Sequence, residues 1–200
     1  MNGSNTEHET FRDPAFVERV RSGEEEATQA LIRAYLPQVV RAARGAGLPA
    51  DAAEDVAQAT FLTFLNVVKR FEGRSHVRTF LFGILYKKVA EKRRQQARER
   101  RTDSIDDVME SRFRPDGRWH TPPRPIDERF HDREVRQQID DCLEALTLNQ
   151  RMAFVLRESE GLTTEEICKI LDVSRTNLGV LLYRARNRLR ECLETEGVKP

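Results

Sequence analysis

The chain has 200 residues and a formal net charge of +1, with 34% charged and 38% hydrophobic residues. That length accommodates one or two domains, and the charge content with few β-branched runs points to a helical chain that stays in water. No apolar run approaches the roughly 20 residues of a membrane span, and the polar opening MNGSNTEHET has no signal-peptide core, so a cytoplasmic protein without direct membrane insertion is expected.

Residues 1–12 read as a disordered tail. Ser22 and Glu25 form a capping-box pattern ahead of a helix that carries Ala27, Leu31, Ala34 and Tyr35. Pro37 is expected to kink or break it, and Gly45, Gly47 and Pro49 to end the unit. Asp51 and Glu54 open a further helix with Val56, Phe61, Phe64, Leu65 and Val68 on its apolar sides, which leaves Glu54, Asp55 and Gln58 exposed together. A third helix runs from about Ser75 to Arg98 on the apolar set Val77, Phe80, Leu81, Ile84, Leu85 and Val89. Its end is rich in cations: from Lys87 to Arg101 eight basic residues face two acids, a net of +6. Phe82 and Tyr86 stand one turn apart beside them. Cations with interleaved aromatics suit single-stranded DNA, since phosphates need charge and unstacked bases need flat partners; core packing is the competing role for Phe80 and Phe82.

The stretch 102–132 changes character. It holds Pro115, Pro122, Pro123 and Pro125, the turn pair Asp116-Gly117, and eight acids against five arginines, a net of −3. With no sustained periodicity it reads as a flexible linker between a domain at 13–101 and one at 133–197. Cys142, Cys168 and Cys192 are an odd number, widely spaced within apolar helical patterns, and are expected as buried reduced thiols. No CxxC or HxxxH spacing supports a zinc site with His120 or His131, so neither a metal nor a cofactor is expected.

The second domain ends in a helix-turn-helix pattern. Thr163 and Glu166 form a capping box, Ile167, Ile170 and Leu171 recur at helical spacing, Asp172 and Val173 interrupt, and Ser174 caps the next helix. There Leu178, Leu181, Leu182, Ala185, Leu189 and Leu193 make one buried stripe. Arg175, Thr176, Asn177, Tyr183, Arg184 and Arg188 fall largely outside it, with five arginines and no acid between Arg175 and Arg190. Side chains able to reach base edges at the helix start, and arginines farther along, match major-groove readout. An ordinary helical hairpin with a solvated basic face is the competing reading of this segment alone.

Two stretches carry a family resemblance. The run DAAEDVAQATF at 51–61, then Phe71-Glu72-Gly73, then RTFLFGI at 78–84 resembles the D-A-E-D-x-x-Q-E-T-F, F-x-G and R-T-W-L-Y-x-I segments of the extracytoplasmic-function (ECF) sigma factors of RNA polymerase. The run LEALTLNQRMAFVLRESEGLTTEEICKIL at 143–171, with RARNRLRE at 184–191, resembles their C-terminal segment, in the same order and at a similar separation. The resemblance implies an all-α protein of two helical domains, the C-terminal one a helix-turn-helix. By the same resemblance Glu54, Asp55 and Gln58 dock on polymerase core. Gly73, Arg74, Ser75, His76, Arg78, Thr79, Phe82, Tyr86 and Lys87 capture the promoter's minus-ten strand. Arg175, Thr176, Asn177, Tyr183, Arg184 and Arg188 read the minus-thirty-five element. Implied partners are core polymerase, promoter DNA and an anti-sigma factor, with no small-molecule substrate.

Several positions depart from the family pattern. Gly83 and Lys87 replace the usual arginine and asparagine, and Ala59 the usual glutamate. Gly179, Val180 and Leu181 stand where the family has polar reading residues, so either base reading shifts toward Arg175, Thr176, Asn177 and Tyr183 or this apolar strip meets a protein. The function expected is an alternative sigma factor that binds core, recognises and opens promoters, and is not an enzyme, since neither a Gly-rich phosphate loop nor a nucleophile motif occurs. The alternative is a dimeric helix-turn-helix regulator that works apart from polymerase core.

Overall fold

The computed structural model describes residues 11, 13–73, 75–102, 139 and 141–195. The expected tail at 1–12, save Phe11, and nearly all of the expected linker at 102–132 lie outside the described residues.

Helix α1, Pro14–Arg21, starts where Asp13 accepts the Ala15 amide at 2.9 Å and Pro14 supplies a preset φ. The sequence pattern assigned Ser22 to the following helix, but the structure uses it to close α1. Its amide reaches Glu18 O at 2.8 Å and its hydroxyl donates to Arg19 O at 2.8 Å, with Gly23 turning the chain at φ 81°. Helix α2, Glu25–Gly45, therefore begins at Glu24 without a side-chain cap. Glu24 is instead held by the guanidinium of Arg19.

Pro37 does not break α2, which runs unbroken from Glu25 to Gly45. Pro37 and Arg33 both lie exposed, so water can satisfy the Arg33 carbonyl that proline leaves without a donor, and the Gln38 side chain adds a bond to Ala34 O at 3.2 Å. Helix α3, Ala50–Val67, leads through a 3-10 turn at Val68–Arg70 to a loop, and α4 runs Val77–Thr102. His76 Nδ1 accepts the Arg78 amide at 2.9 Å and so caps α4.

After a helical turn at 141–144, α5 (Leu148–Glu158) starts at a capping box of Thr147 and Gln150. Helices α6, Thr164–Leu171, and α7, Arg175–Thr195, complete the described chain.

One continuous core joins both halves. It extends from Phe16, Leu31 and Tyr35 through Phe64, Leu81 and Phe82 to Met152, Leu156, Ile167 and Leu178. A smaller cluster of Leu143, Leu146, Ala185 and Leu189 contains a disulfide between Cys142 and Cys192, with Cα atoms 5.7 Å apart. This corrects the expectation of three reduced thiols: only Cys168 is free. Tertiary folding lays the turn at 141–144 against the end of α7, which brings the two cysteines within bridging reach across 50 residues of sequence.

Candidate nucleic-acid and polymerase interface

The helix-turn-helix is built by local hydrogen bonds. Thr163 accepts the Glu166 amide at 3.3 Å, and the Glu166 carboxylate accepts the Thr163 amide and hydroxyl at 2.9 Å each. Burial opposes the charge on Glu166, yet these Thr163 bonds, the Thr79 hydroxyl and nearby Arg78 together hold its carboxyl below the ordinary value. Asp172, at φ 54°, ends α6 in the left-handed region, and Ser174 Oγ accepts the Asn177 amide at 3.1 Å to start α7.

With that entry angle fixed, Leu178, Leu182, Ala185 and Leu189 turn inward. Arg175, Thr176, Asn177, Tyr183, Arg184 and Arg188 all lie exposed, Tyr183 at 68%. Arg175 meets Glu165 at 2.7 Å, an exposed pair of little net worth that a base edge can replace. Val180 is exposed at 39%, Gly179 is exposed and Leu181 is half-buried, so the apolar strip does reach the surface.

On α3, Ala53, Val56, Ala57, Phe61 and Phe64 are buried while Glu54, Asp55 and Gln58 are exposed. The helix therefore offers a short acidic and amide-bearing surface away from the core.

The loop after α3 and the start of α4 are arranged differently. Phe71 packs on Phe80 with ring centroids 5.0 Å apart, Gly73 turns at φ 72°, and Ser75 and His76 are half-buried; Arg74 lies outside the described residues. Arg78, Thr79 and Tyr86 face the C-terminal half. Arg78 donates to the Glu160 backbone carbonyl, Thr79 bonds Glu166 at 3.3 Å, and Tyr86 bonds Asn149 at 2.7 Å. Phe82 is fully buried, with the Arg78 guanidinium 5.7 Å from its ring centroid, whereas Lys87 is exposed. Burial pushes the Arg78 guanidinium below its ordinary value, and its Nε has no hydrogen-bond partner among the described residues.

A cleft of about 600 Å³ separates this loop from α6, with Gly73, Ser75 and His76 on one wall and Thr163, Glu165 and Lys169 on the other. The structure thus sets Arg78, Thr79 and Tyr86 against the C-terminal half, while Lys87 stays in water. The polymerase-docking candidates stand apart on α3. Sequence reasoning missed Arg41, Gly45, Arg151 and Glu160, which join the two halves; their partners lie more than a hundred residues away, beyond any local pattern. Among the described residues no group of three or more His, Cys, Asp or Glu could hold a metal, and no helix is long and apolar enough to cross a membrane.

A helix-turn-helix with a solvated basic face, joined to a second helical unit, defines a DNA-binding protein. Residues 31–99 match the model of Sigma-70 region 2, and residues 136–189 match Sigma-70, region 4. A probable RNA polymerase sigma factor of Haemophilus influenzae is 32% identical over 151 residues, covering 72% of this chain and 78% of that protein. The ECF RNA polymerase sigma-E factor of Escherichia coli K12 is 27% identical over 181 residues, covering 90% and 94%. Among solved structures, the sigma factor RpoE in complex with the anti-sigma factor NepR from Bartonella quintana matches with a TM-score of 0.60 at 25% identity, covering 83% of this chain and 96% of that one. CnrH in complex with the cytosolic domain of CnrY shares the fold, with a TM-score of 0.67 at 20% identity over 92% of this chain and 98% of that one. The chain belongs to the ECF group of RNA polymerase sigma factors.

Proposed function

We propose that this chain is an alternative sigma factor that binds RNA polymerase core in the cytoplasm, recognises promoter DNA, promotes strand opening and performs no catalysis of its own. The observation that carries this reading is the solvated face of α7, Arg175 to Arg188 opposite a buried leucine stripe, in a chain whose other half matches Sigma-70 region 2. In this reading 13–101 forms the unit for core and the minus-ten element, 102–132 the connector, and 133–197 the unit for the minus-thirty-five element.

Glu54, Asp55 and Gln58 dock on core. Gly73, Arg74, Ser75, His76, Arg78, Thr79, Phe82, Tyr86 and Lys87 take the opened minus-ten strand, through cations on phosphates and aromatic or polar groups on the flipped base. Flipping costs a few kcal/mol, which stacking of about 1–3 kcal/mol per base can offset. On the duplex, Arg175, Thr176, Asn177 and Tyr183 address base edges while Arg184 and Arg188 hold phosphates. An anti-sigma factor holds the chain inactive at rest; RpoE and CnrH, which it resembles, are each seen with a protein partner.

The test is co-elution with core polymerase. The folded chain is expected to travel with core, and Asp55→Arg to lose that association. Duplex binding as a dimer, with no affinity for core, supports instead a conventional helix-turn-helix regulator.

A further inference from the structure

The small cluster that anchors the end of α7 contains the bridge between Cys142 and Cys192, and nothing in reading DNA calls for sulfur there. We infer that this pair is a reversible oxidation site: a hydroperoxide closes it, a dithiol opens it, and closure stiffens the end of α7 that grips the DNA backbone. The consequence for DNA rests on the sigma-factor reading of α7, whereas the thiol chemistry does not.

Compartment and packing together argue against a permanent bond. A chain that works with RNA polymerase meets the reducing systems of the cell interior, where a protein disulfide is usually transient and catalytic or redox-sensing. Reduction there does not scatter the two sulfurs. Cys142 packs with Leu143, Leu146, Ala185 and Leu189, and Phe154, Cys192 and Leu193 lie against that cluster, so apolar contacts keep the pair adjacent once the bond is broken. A dithiol held this way closes again as an intramolecular reaction, with the advantage that fixed proximity gives.

The two sulfurs differ in access, which sets the order of steps. Cys142 is 1% exposed, whereas Cys192 is half-buried on α7. The Cys192 thiolate therefore attacks the hydroperoxide: an S–O bond forms, the O–O bond breaks, and the second oxygen leaves with the thiol's proton as water or an alcohol. Cys142 then attacks the sulfenic sulfur of Cys192. The S–S bond forms as the S–O bond breaks, and the hydroxyl departs with the Cys142 proton as water. Two thiols lose two electrons, and the peroxide gains them. A dithiol reverses the change by exchange through a mixed disulfide and is itself oxidised to a disulfide. Cys168 takes no part, because it packs on α6 against the main core and lies outside this cluster.

The bridge has a defined reach. It spans 50 residues, so α5, α6 and all of α7 up to Cys192 lie within one covalent loop. Arg188 stands one turn before Cys192, and fixing Cys192 fixes the helix end that carries this guanidinium. Helix ends open locally at little cost, and a cross-link removes such openings from the ensemble. Arg175 and Asn177 sit at the opposite end, where the Ser174 cap and buried Leu178 hold them whatever the state of the sulfurs. Oxidation thus tightens the grip on phosphates and leaves base preference unchanged.

The test takes the full chain as wild type, Cys142→Ser, Cys192→Ser and Cys168→Ser, each checked for folding by thermal melting. Each is reduced, freed of reductant and treated with hydrogen peroxide. Peptide mass mapping locates the bridge, dimedone traps sulfenic acid, fluorescence anisotropy reads binding to a labelled pool of randomised duplexes, and sequencing of the bound fraction reads base preference. Wild type and Cys168→Ser are expected to form the bridge, to reopen it with dithiothreitol while folded, and to bind duplex at least about threefold more tightly when bridged, with the same bound sequences. Cys142→Ser should accumulate sulfenic acid on Cys192, Cys192→Ser should leave Cys142 a thiol, and neither should gain affinity. Thiols that stay free in peroxide, a bridge that dithiothreitol opens only in denaturant, or equal affinity in the two states would each overturn the inference. Absence of duplex binding in both states would remove the sigma-factor reading of α7 and the consequence for DNA with it, while the bridge assay still decides the oxidation site.

Discussion

Arg175 and Asn177 stand at the exposed start of α7, where a helix entering the major groove presents its first side chains, while Arg184 and Arg188 lie two or more turns farther on. Replacing Arg175 or Asn177 with alanine should therefore relax sequence preference in the minus-thirty-five element, at about 1–3 kcal/mol per lost base contact. Arg184→Ala or Arg188→Ala should weaken all duplexes alike and reduce the salt slope by about one unit each. Binding curves on a mutated site library at several salt concentrations separate the two, and uniform losses for Arg175 and Asn177 would make them phosphate contacts. Glu166 supports a different expectation. Its folded carboxyl lies below the unfolded value of 4.5, so its stabilisation is complete above that pH and is lost as pH falls through and below it. Glu166→Gln should flatten the acid limb of the unfolding profile; an acid limb identical to wild type would contradict the assigned bonds. At this scale the sequence was informative about caps and faces: the Thr163 box, Ser174, and the exposed set on α7 and α3 all follow from local spacing. Ser22 was not, because its competing role depends on α1, whose Asp13-Pro14 start was the available signal.

Among elements, the C-terminal cluster is the one that reshapes expectation. Cys142 and Cys192 enclose 50 residues, for which loop-closure entropy gives about 4 kcal/mol of stabilisation at most. Reductant, or Cys142→Ser, should lower the unfolding free energy of the chain by an amount within that bound, and Cys168→Ser should not. Equal midpoints with and without reductant would show that packing of Leu143, Leu146, Ala185 and Leu189 alone secures the cluster. Reducing compartments favour the open pair, so the cluster is held by packing alone wherever the bridge is reduced. Helix α2 carries a related lesson. Proline is costly inside a helix because of one lost bond and one clash, yet the neighbouring surface of Pro37 is open to water and the helix persists. The sequence marks the residue, whereas exposure of the surrounding turn decides the consequence. On α3 the two levels agree, since one periodic apolar stripe both buries the helix and leaves Asp55 outside. Asp55→Arg should accordingly change stability by no more than about 0.5 kcal/mol while abolishing core association. A folded variant with full core affinity would remove α3 from the docking surface.

For the whole molecule, order along the chain was legible and closure was not. Two helical units with a terminal helix-turn-helix emerge from periodicity, caps and turn residues, each of which operates within a few positions. The contact between the units depends on Arg41 meeting Glu160 across 119 residues and on the bare α-carbon of Gly45 fitting Val155. Neither leaves a periodic trace. That contact gives one chain two kinds of surface: acidic and basic faces in water on α3 and α7, and a face of α4 whose Arg78, Thr79 and Tyr86 bond the C-terminal half. The central claim is that these surfaces together direct polymerase to promoters, and run-off transcription with purified core polymerase on fragmented genomic DNA tests it most directly. Discrete transcripts are expected that require the chain, share upstream elements at a fixed spacing, and disappear with Asp55→Arg. Transcription by core that is the same with and without the folded chain, on every fragment, would contradict it.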